Sequence, residues 1–254
     1  MKALLPAGSG PVVSPYPPTP FPSLMFYGNH PVSMRRDDID PFTQQAPVML
    51  VGPQYSRVNI RVREQLTAIR VDLLPGGLYR LLGIPLHELF DGGFDARDIF
   101  GPAMKELQES LQQLTSLEQG KTLVENFLLS QSNKLRSPRP LDQALRLLLE
   151  ANGNMPIEKT ASLSCLSLKQ FERKCRDYIG MNPKTYSRIL RFSKAYRLHE
   201  ANPQLSWIKI AYEAGYFDQM HMIRDFKTFA GVNPSLISQE LLSTPIRMQK
   251  DLPG

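Results

Sequence analysis

The sequence predicts an α+β chain of two domains. A small N-terminal antiparallel β sheet or barrel with accessory helices is expected ahead of an all-α C-terminal domain of about seven helices, which holds two helix-turn-helix units. Three observations carry this. Residues 57–63, RVNIRVR, alternate apolar and polar side chains with the period of a strand. Residues 167–183 and 218–234 repeat one pattern, with matching residues about 51 positions apart, such as Arg173 with Arg224 and Gly180 with Gly231. The net charge of +6 is also segregated: residues 1–137 hold 13 basic and 13 acidic side chains, and the remaining 17 and 11 lie beyond them.

Residues 1–22 are rich in Pro, Gly and Ser and read as an extended arm lying across the first domain. The first domain proper spans 23–131. Residues 24–27 and 48–51 are short apolar runs. Residues 57–63 place Val58, Ile60 and Val62 on one face and Arg57, Asn59, Arg61 and Arg63 on the other. Residues 66–73 alternate again, with Thr67, Ile69, Val71 and Leu73 together. The arginine face has two readings that the sequence leaves open. The simpler is a solvated strand face. The sharper is an effector site for a carboxylate or other anion at Arg57, Arg61 and Arg63, because guanidinium forks suit such groups.

After the strands, Gly76 and Gly77 permit a turn, and Leu78, Leu81 and Leu82 begin a short helix that Gly83 stops. His30, His87 and Glu88 have no metal-ligand spacing and no cysteine beside them, so they read as ordinary polar residues. Residues 104–114 and 117–129 read as two amphipathic helices closing the first domain, with Leu107, Leu111, Leu114, Leu117 and Leu128 as stripes. Residues 132–140 form a polar, Pro-containing linker.

The C-terminal domain spans 141–245. Leu141, Leu145, Leu148 and Leu149 give a buried stripe on its first helix. Ser167 with Gln170 makes a capping box, followed by Leu168, Phe171, Cys175 and Tyr178 on one face of a helix over 167–178. Residues 184–200 form a long helix carrying Lys184, Arg188, Arg191, Lys194 and Arg197, with no acid before Glu200. In the second unit Ile208, Ile210, Ala211 and Ala214 make the stripe of the first helix. Gly215 ends it and Asp218 caps the next. Met222, Phe226 and Phe229 then fall at i, i+4 and i+7, opposite Met220, His221 and Arg224, with Gln219 at the edge. A second helix that presents polar side chains and an Arg outward fits a DNA major groove.

Two such units, G-x-N-P closing the first, a basic helix between them, and G-Y-F-D-Q-x-H-x-I-R-D-F-K-x-F-A-G-x-N-P in the second resemble the AraC/XylS family of bacterial transcription regulators, over roughly 140–242. Residues 75–89 and the earlier PFPSLMFYGNHP resemble, more loosely, the sensor-like N-terminal domain of a subset of that family. The resemblance implies double-stranded DNA as partner, with base contacts from Lys169, Gln170 and Arg173 in the first unit and Gln219, Met220, His221 and Arg224 in the second. Ser167, Lys174, Lys184, Arg188, Arg191 and Lys194 are the phosphate candidates; for the basic run the plain alternative is a solvated face. Met220 replaces a small polar residue usual in the family, so apolar contact to a thymine methyl replaces a hydrogen bond. RNA polymerase as partner, activation, a small-molecule effector and a homodimer are further implications.

Catalytic constellations, phosphate loops and dinucleotide motifs are absent from the sequence, no cofactor is implied, and the reading is not an enzyme. One alternative is a ligand-binding or interaction protein with secondary DNA binding. A remoter one is a DNA-repair enzyme fused to this DNA domain, which would need a nucleophilic Cys outside it; Cys165 and Cys175 both lie inside. Two cysteines make no disulfide framework. No apolar run approaches the roughly 20 residues of a membrane span, and the first residues do not read as a signal peptide, so the cytoplasm is the expected compartment.

Overall fold

A computed structural model of the chain describes residues 2–4, 11–28, 30–36, 38–63, 65–114, 116–237 and 249. The N-terminal part contains two antiparallel sheets. One has the order β1 (Lys2–Leu4), β8 (Gln65–Asp72), β3 (Ser23–Tyr27), β6 (Val48–Val51), β9 (Gly93–Asp95). The other runs β2 (Val12–Tyr16), β7 (Val58–Val62), β4 (Val32–Arg35), β5 (Thr43–Gln44). Of the arm expected over 1–22, residues 1 and 5–10 lie outside the described residues; within it residues 12–16 are extended and as β2 pair with β7, Val12 opposite Val62 and Tyr16 opposite Val58.

β3 shows why this part holds together. Its sequence, SLMFY, is apolar on both sides, as a strand covered on both faces must be. Met25 points to a core between the sheets with Val32, Met49, Val58, Ile60 and Val62. Leu24 and Phe26 point the other way, into a second core with Leu50, Leu78, Leu86, Met104 and Phe127. That second core is roofed by helices α1 (Gly77–Leu82), α2 (Ala96–Phe100), α3 (Pro102–Gln112) and α4 (Leu117–Gln131), with a 3-10 turn at Leu86–Leu89. In β8 the expected alternation holds. Ile69, Val71 and Leu73 pack under the helices, while Leu66 and Ala68 are buried between the sheets.

The C-terminal part is helical: α5 (Pro140–Glu150), α6 (Ile157–Leu163), α7 (Leu168–Ile179), α8 (Pro183–Ala201), α9 (Trp207–Ala214) and α10 (Gln219–Ala230). Residues 234–237 open a further helical turn, which brings the described elements to the expected count of about seven. One core serves them all, centred on Phe171, Tyr186, Phe192, Phe226 and Phe229. α8 is the long middle helix, and Ile189, Leu190, Phe192, Ala195 and Tyr196 are buried along it.

The G-x-N-P signature is a stop followed by a restart. Gly180 and Gly231 take φ of 75° and 71° at the ends of α7 and α10, a backbone conformation that a Cβ disfavours. After Gly180, the Asn182 side chain accepts from the Thr185 N–H at 2.8 Å, and Pro183 occupies the first helical position, where no N–H is needed.

Three stripe residues need correction, the first being Leu117, which is 38% exposed. Ile208 is 68% exposed; the buried face of α9 is Ile210, Ala211 and Ala214, with Trp207 packed beside it. Leu168 is also exposed, so α7 is anchored by Phe171, Cys175, Tyr178 and Ile179. Leu117 and Leu168 are the first residues of their helices, while Ile208 lies on the side of α9 away from the core that Trp207, Ile210 and Ala211 pack against.

The two parts of the chain pack together. Tyr79 of α1 stacks on Tyr178 of α7 at 4.2 Å. The linker is stitched to α1 in both directions: the Arg136 N–H donates to the Arg80 carbonyl and Arg80 Nε donates to the Arg136 carbonyl. A loop at residues 52–57 reaches the second unit. Tyr55 meets Phe229 edge-on at 5.4 Å, and Arg57 donates to the Ala230 carbonyl at 3.0 Å. Asp91 pins this loop by accepting from the N–H groups of Tyr55 and Ser56, while its other oxygen pairs with Arg36 at 2.7 Å.

Candidate nucleic-acid interface

α7 and α10 are built alike. The Ser167 side chain accepts from the Gln170 N–H, and the Asp218 side chain from the His221 N–H at 2.7 Å. Each helix buries one stripe, Phe171–Cys175–Tyr178 or Met222–Phe226–Phe229. The opposite face is therefore outward by construction, and Arg173 and Arg224 are exposed at the same position in each.

The fold gathers the candidate side chains into two basic clefts. In the first unit Lys169, Arg173, Arg176 and Lys184 surround Glu172 and Asn182. In the second, Arg188, Arg191, His221 and Arg224 meet beside Phe217 and Asp225. In each cleft the basic side chains outnumber the acidic one, a balance suited to a polyanion.

Other candidates are placed differently. Gln170 closes the capping box: the N–H and the hydroxyl of Ser167 donate to Gln170 Oε1 at 3.0 and 2.9 Å. Both side chains are thus committed to capping the start of the helix. Lys174 is half-buried and leans to Asp177 at 3.7 Å. Lys194 is half-buried on α8, and Gln219 half-buried at the edge of α10.

Arg188 and Arg191 do more than line a cleft. Arg188 Nε donates to Asp225 at 2.8 Å, and its guanidinium lies over the Phe229 ring at 5.1 Å. Arg191 donates to the Gly153 carbonyl at 2.8 Å and lies near the Tyr216 ring. The basic run of α8 is thus partly a scaffold for the second unit.

The three arginines proposed for an effector do not converge. Arg57 reaches the C-terminal end of α10, Arg61 lies over the Phe42 ring at 4.2 Å, and Arg63 is exposed. Their expected neighbour Asn59 is buried and donates to Asp38. A strand paired on both sides leaves its outward residues to separate neighbours. Between the sheets a cavity of about 40 Å³ is lined by Tyr16, Met25, Met49, Arg36 and Asp91, room for a few waters. A wider cleft of about 290 Å³ lies between β3, β8 and the α3–α4 connection, lined by Phe26, Tyr27, His30 and Leu111.

Burial alone would raise the Asp91 carboxyl, but the Tyr55 and Ser56 N–H groups and Arg36 hold it below the ordinary value. Burial pushes the Cys175 thiol up, which suits a small core residue. Among the described residues no group of three or more His, Cys, Asp or Glu is placed to hold a metal, and no helix is long and apolar enough to cross a membrane.

Sequence reasoning passed over Arg176 and Phe217. Arg176 had a signal, since its counterpart in the repeat is Lys227, also basic. Phe217 had one too, because it falls outside the apolar stripe of α10.

Residues 160–239 match the model of a helix-turn-helix domain family. The chain is 32% identical over 105 residues to the HTH-type transcriptional regulator ArgR of Pseudomonas aeruginosa, an alignment covering 40% of this chain and 31% of that relative's length. Among solved structures, it is similar to ToxT of Vibrio cholerae O395 with 12% identity and a TM-score of 0.49, covering 92% of this chain and 99% of that one. A ToxT structure with an unsaturated fatty acid bound gives 13% identity and a TM-score of 0.47, covering 94% and 98%. The motifs, the repeat and the family match overlap: residues 160–239 of this chain are a helix-turn-helix domain.

Proposed function

We propose that the protein is a sequence-specific DNA-binding transcription regulator, with residues 141–245 as the DNA-reading unit and residues 23–131 as a sensor-like unit joined to it through 132–140. The observation that carries this reading is the exposure of Arg173 and Arg224 at equivalent positions of two helices that each open on a side-chain cap, each Arg beside a basic cleft. α8, at 19 residues, spans about 28 Å at 1.5 Å per residue. That is close to the roughly 34 Å between successive major grooves on one DNA face. Arg173 and Arg224 then make base contacts, with bidentate Arg to guanine the commonest kind. Lys169, Met220 and His221 flank them. Lys184, Arg188 and Arg191 are placed for phosphates.

Selection of bound sequences from random duplexes tests the reading directly. The expected result is a split motif with two half-contacts about one helical turn apart. Arg173→Ala and Arg224→Ala should each cost about 1–3 kcal/mol on that motif and leave non-specific binding intact. Equal losses on every duplex would move these residues to the phosphate list.

Activation through RNA polymerase, dimerisation and effector gating complete the proposal. Gating is supported by the contacts of the 52–57 loop with α10 and of α1 with α7, which give the N-terminal part a hold on both reading helices. The 290 Å³ cleft is near the lower bound for small-molecule sites, about 300 Å³, whereas the 40 Å³ cavity is far below it. A small molecule that shifts DNA affinity saturably would establish gating. Transcription from a reporter bearing the selected site would give its sign.

A further inference from the structure

Phe217 is 92% exposed and Met220 is 57% exposed. Phe217 lies in the turn before α10 and Met220 in its first turn. Neither belongs to the stripe that α10 buries. Phe217 opens onto the cleft of Arg188, Arg191, His221 and Arg224, and its ring lies 6.2 Å from the His221 imidazole. The equivalent positions of the first unit are Leu166, packed against the C-terminal core, and Lys169, charged and exposed. One backbone pattern is therefore built with these side chains tucked away or charged in one unit and apolar and exposed in the other. The helix-turn-helix fold does not require the exposed pair.

We infer that Phe217 and Met220 form an apolar reading edge for thymine 5-methyl groups in the half-site of the second unit. This rests on the DNA-reading proposal above and names what the second unit reads. Charge selects the occupant: the surrounding guanidinium groups draw a polyanion, and the apolar group that a base edge offers in the major groove is the thymine methyl. The first unit presents Lys169, Arg173 and Arg176 in the matching region, which suit the acceptor atoms of guanine. The half-site under α10 is therefore expected to carry thymine methyls beside the base that Arg224 reads, whereas the region of α7 that matches Phe217 and Met220 presents no exposed apolar pair.

Deoxyuridine tests this, because it pairs as thymine does and lacks only the methyl group. The full chain is titrated against its selected site with each thymine replaced in turn by deoxyuridine. Each contacted methyl in the second half-site should be worth about fourfold in affinity, the value of one buried methylene-sized group. Replacements in the first half-site should have no effect. In the variant carrying Phe217→Ala and Met220→Ala, both exposed and so dispensable for folding, the penalty should vanish. A second half-site without thymine, equal binding of thymine and deoxyuridine there, or an undiminished penalty in the variant would overturn this inference alone. A protein that selects no sequence at all would overturn the DNA-reading proposal and this inference with it.

Discussion

The two helix-turn-helix units begin and end on the same chemistry and differ in almost everything between. Ser167 and Asp218 cap their reading helices, and Gly180 and Gly231 close them with nearly the same φ. Inside, the volume is distributed differently. The first unit has Phe171 and Cys175 where the second has Met222 and Phe226, all four fully buried. The surroundings differ too. Both helices touch the N-terminal part, α7 through Tyr79 stacked on Tyr178 and α10 through Tyr55 and Arg57, but α10 is also held by Arg188 of α8 through Asp225. Asp225 has Lys174 as its counterpart, so the same ion pair cannot form in the first unit. Positions that set the backbone are repeated, and positions that set contacts have diverged.

The largest expected effect tests the difference in volume. Phe226 packs edge-on against Phe192 at 4.9 Å and Trp207 at 5.2 Å. Phe226→Ala should cost about 3–5 kcal/mol, read by denaturant unfolding. Cys175→Ala, at the equivalent position, removes one sulfur and should cost far less. Similar losses would mean that the two cores are more alike than their side chains suggest.

The C-cap glycines sharpen the comparison at a smaller scale. Both positions lie in the left-handed region, so alanine should cost about 1–2 kcal/mol at each. A Cβ on Gly231 would meet nothing within 4 Å, whereas one on Gly180 would lie 2.6 Å from Pro53 Cγ and 3.0 Å from the Leu86 carbonyl. Gly180→Ala should therefore lose more stability than Gly231→Ala and also loosen the N-terminal part, seen as faster proteolysis within the linker at 132–140. Equal losses with equal proteolysis would show that the contact at Gly180 yields without cost.

The sequence was most informative where one residue decides the backbone. The caps Ser167 and Asp218 and the stops Gly83 and Gly215 are local devices, and each lies at the helix end where it was expected. It was less informative where the decision is made by distant neighbours. Nothing local says that residues 12–16 pair with β7, since that strand lies far along the chain. Nor does RVNIRVR reveal that Arg57 will reach Ala230 or that Phe42 will sit under Arg61. In the candidate interface the outward face was legible from the stripe it opposes. The internal duties of Arg188, Arg191 and Gln170 were not, because a charged or polar residue on an outward face has the same pattern whether it is free or engaged.

The smallest expected effect separates the bracing of the second unit from that of the first. His199, near the end of α8, is buried and its ring lies 4.2 Å from Trp207 of α9, which in turn packs on Phe226. Burial disfavours the charged imidazole and lowers its pKa below the ordinary 6.5. A depressed pKa in the folded state means that the unfolded chain binds the proton more readily. The stability from burying neutral His199 is present in full above pH 6.5 and is lost as pH falls from there toward the folded-state value. The first unit is braced differently: α7 carries the Tyr79–Tyr178 stack, and its histidine neighbour, His87, is half-exposed at the surface beside Asp177 and is not buried in the core. The thermal midpoint should thus fall between pH 7 and 5, and His199→Gln should flatten that slope while lowering the midpoint at pH 7. Hydrogen exchange should locate the acid-induced loosening in α9 and the end of α8, leaving α7 protected. Loosening of both units together would mean that one cooperative core overrides the separate bracing.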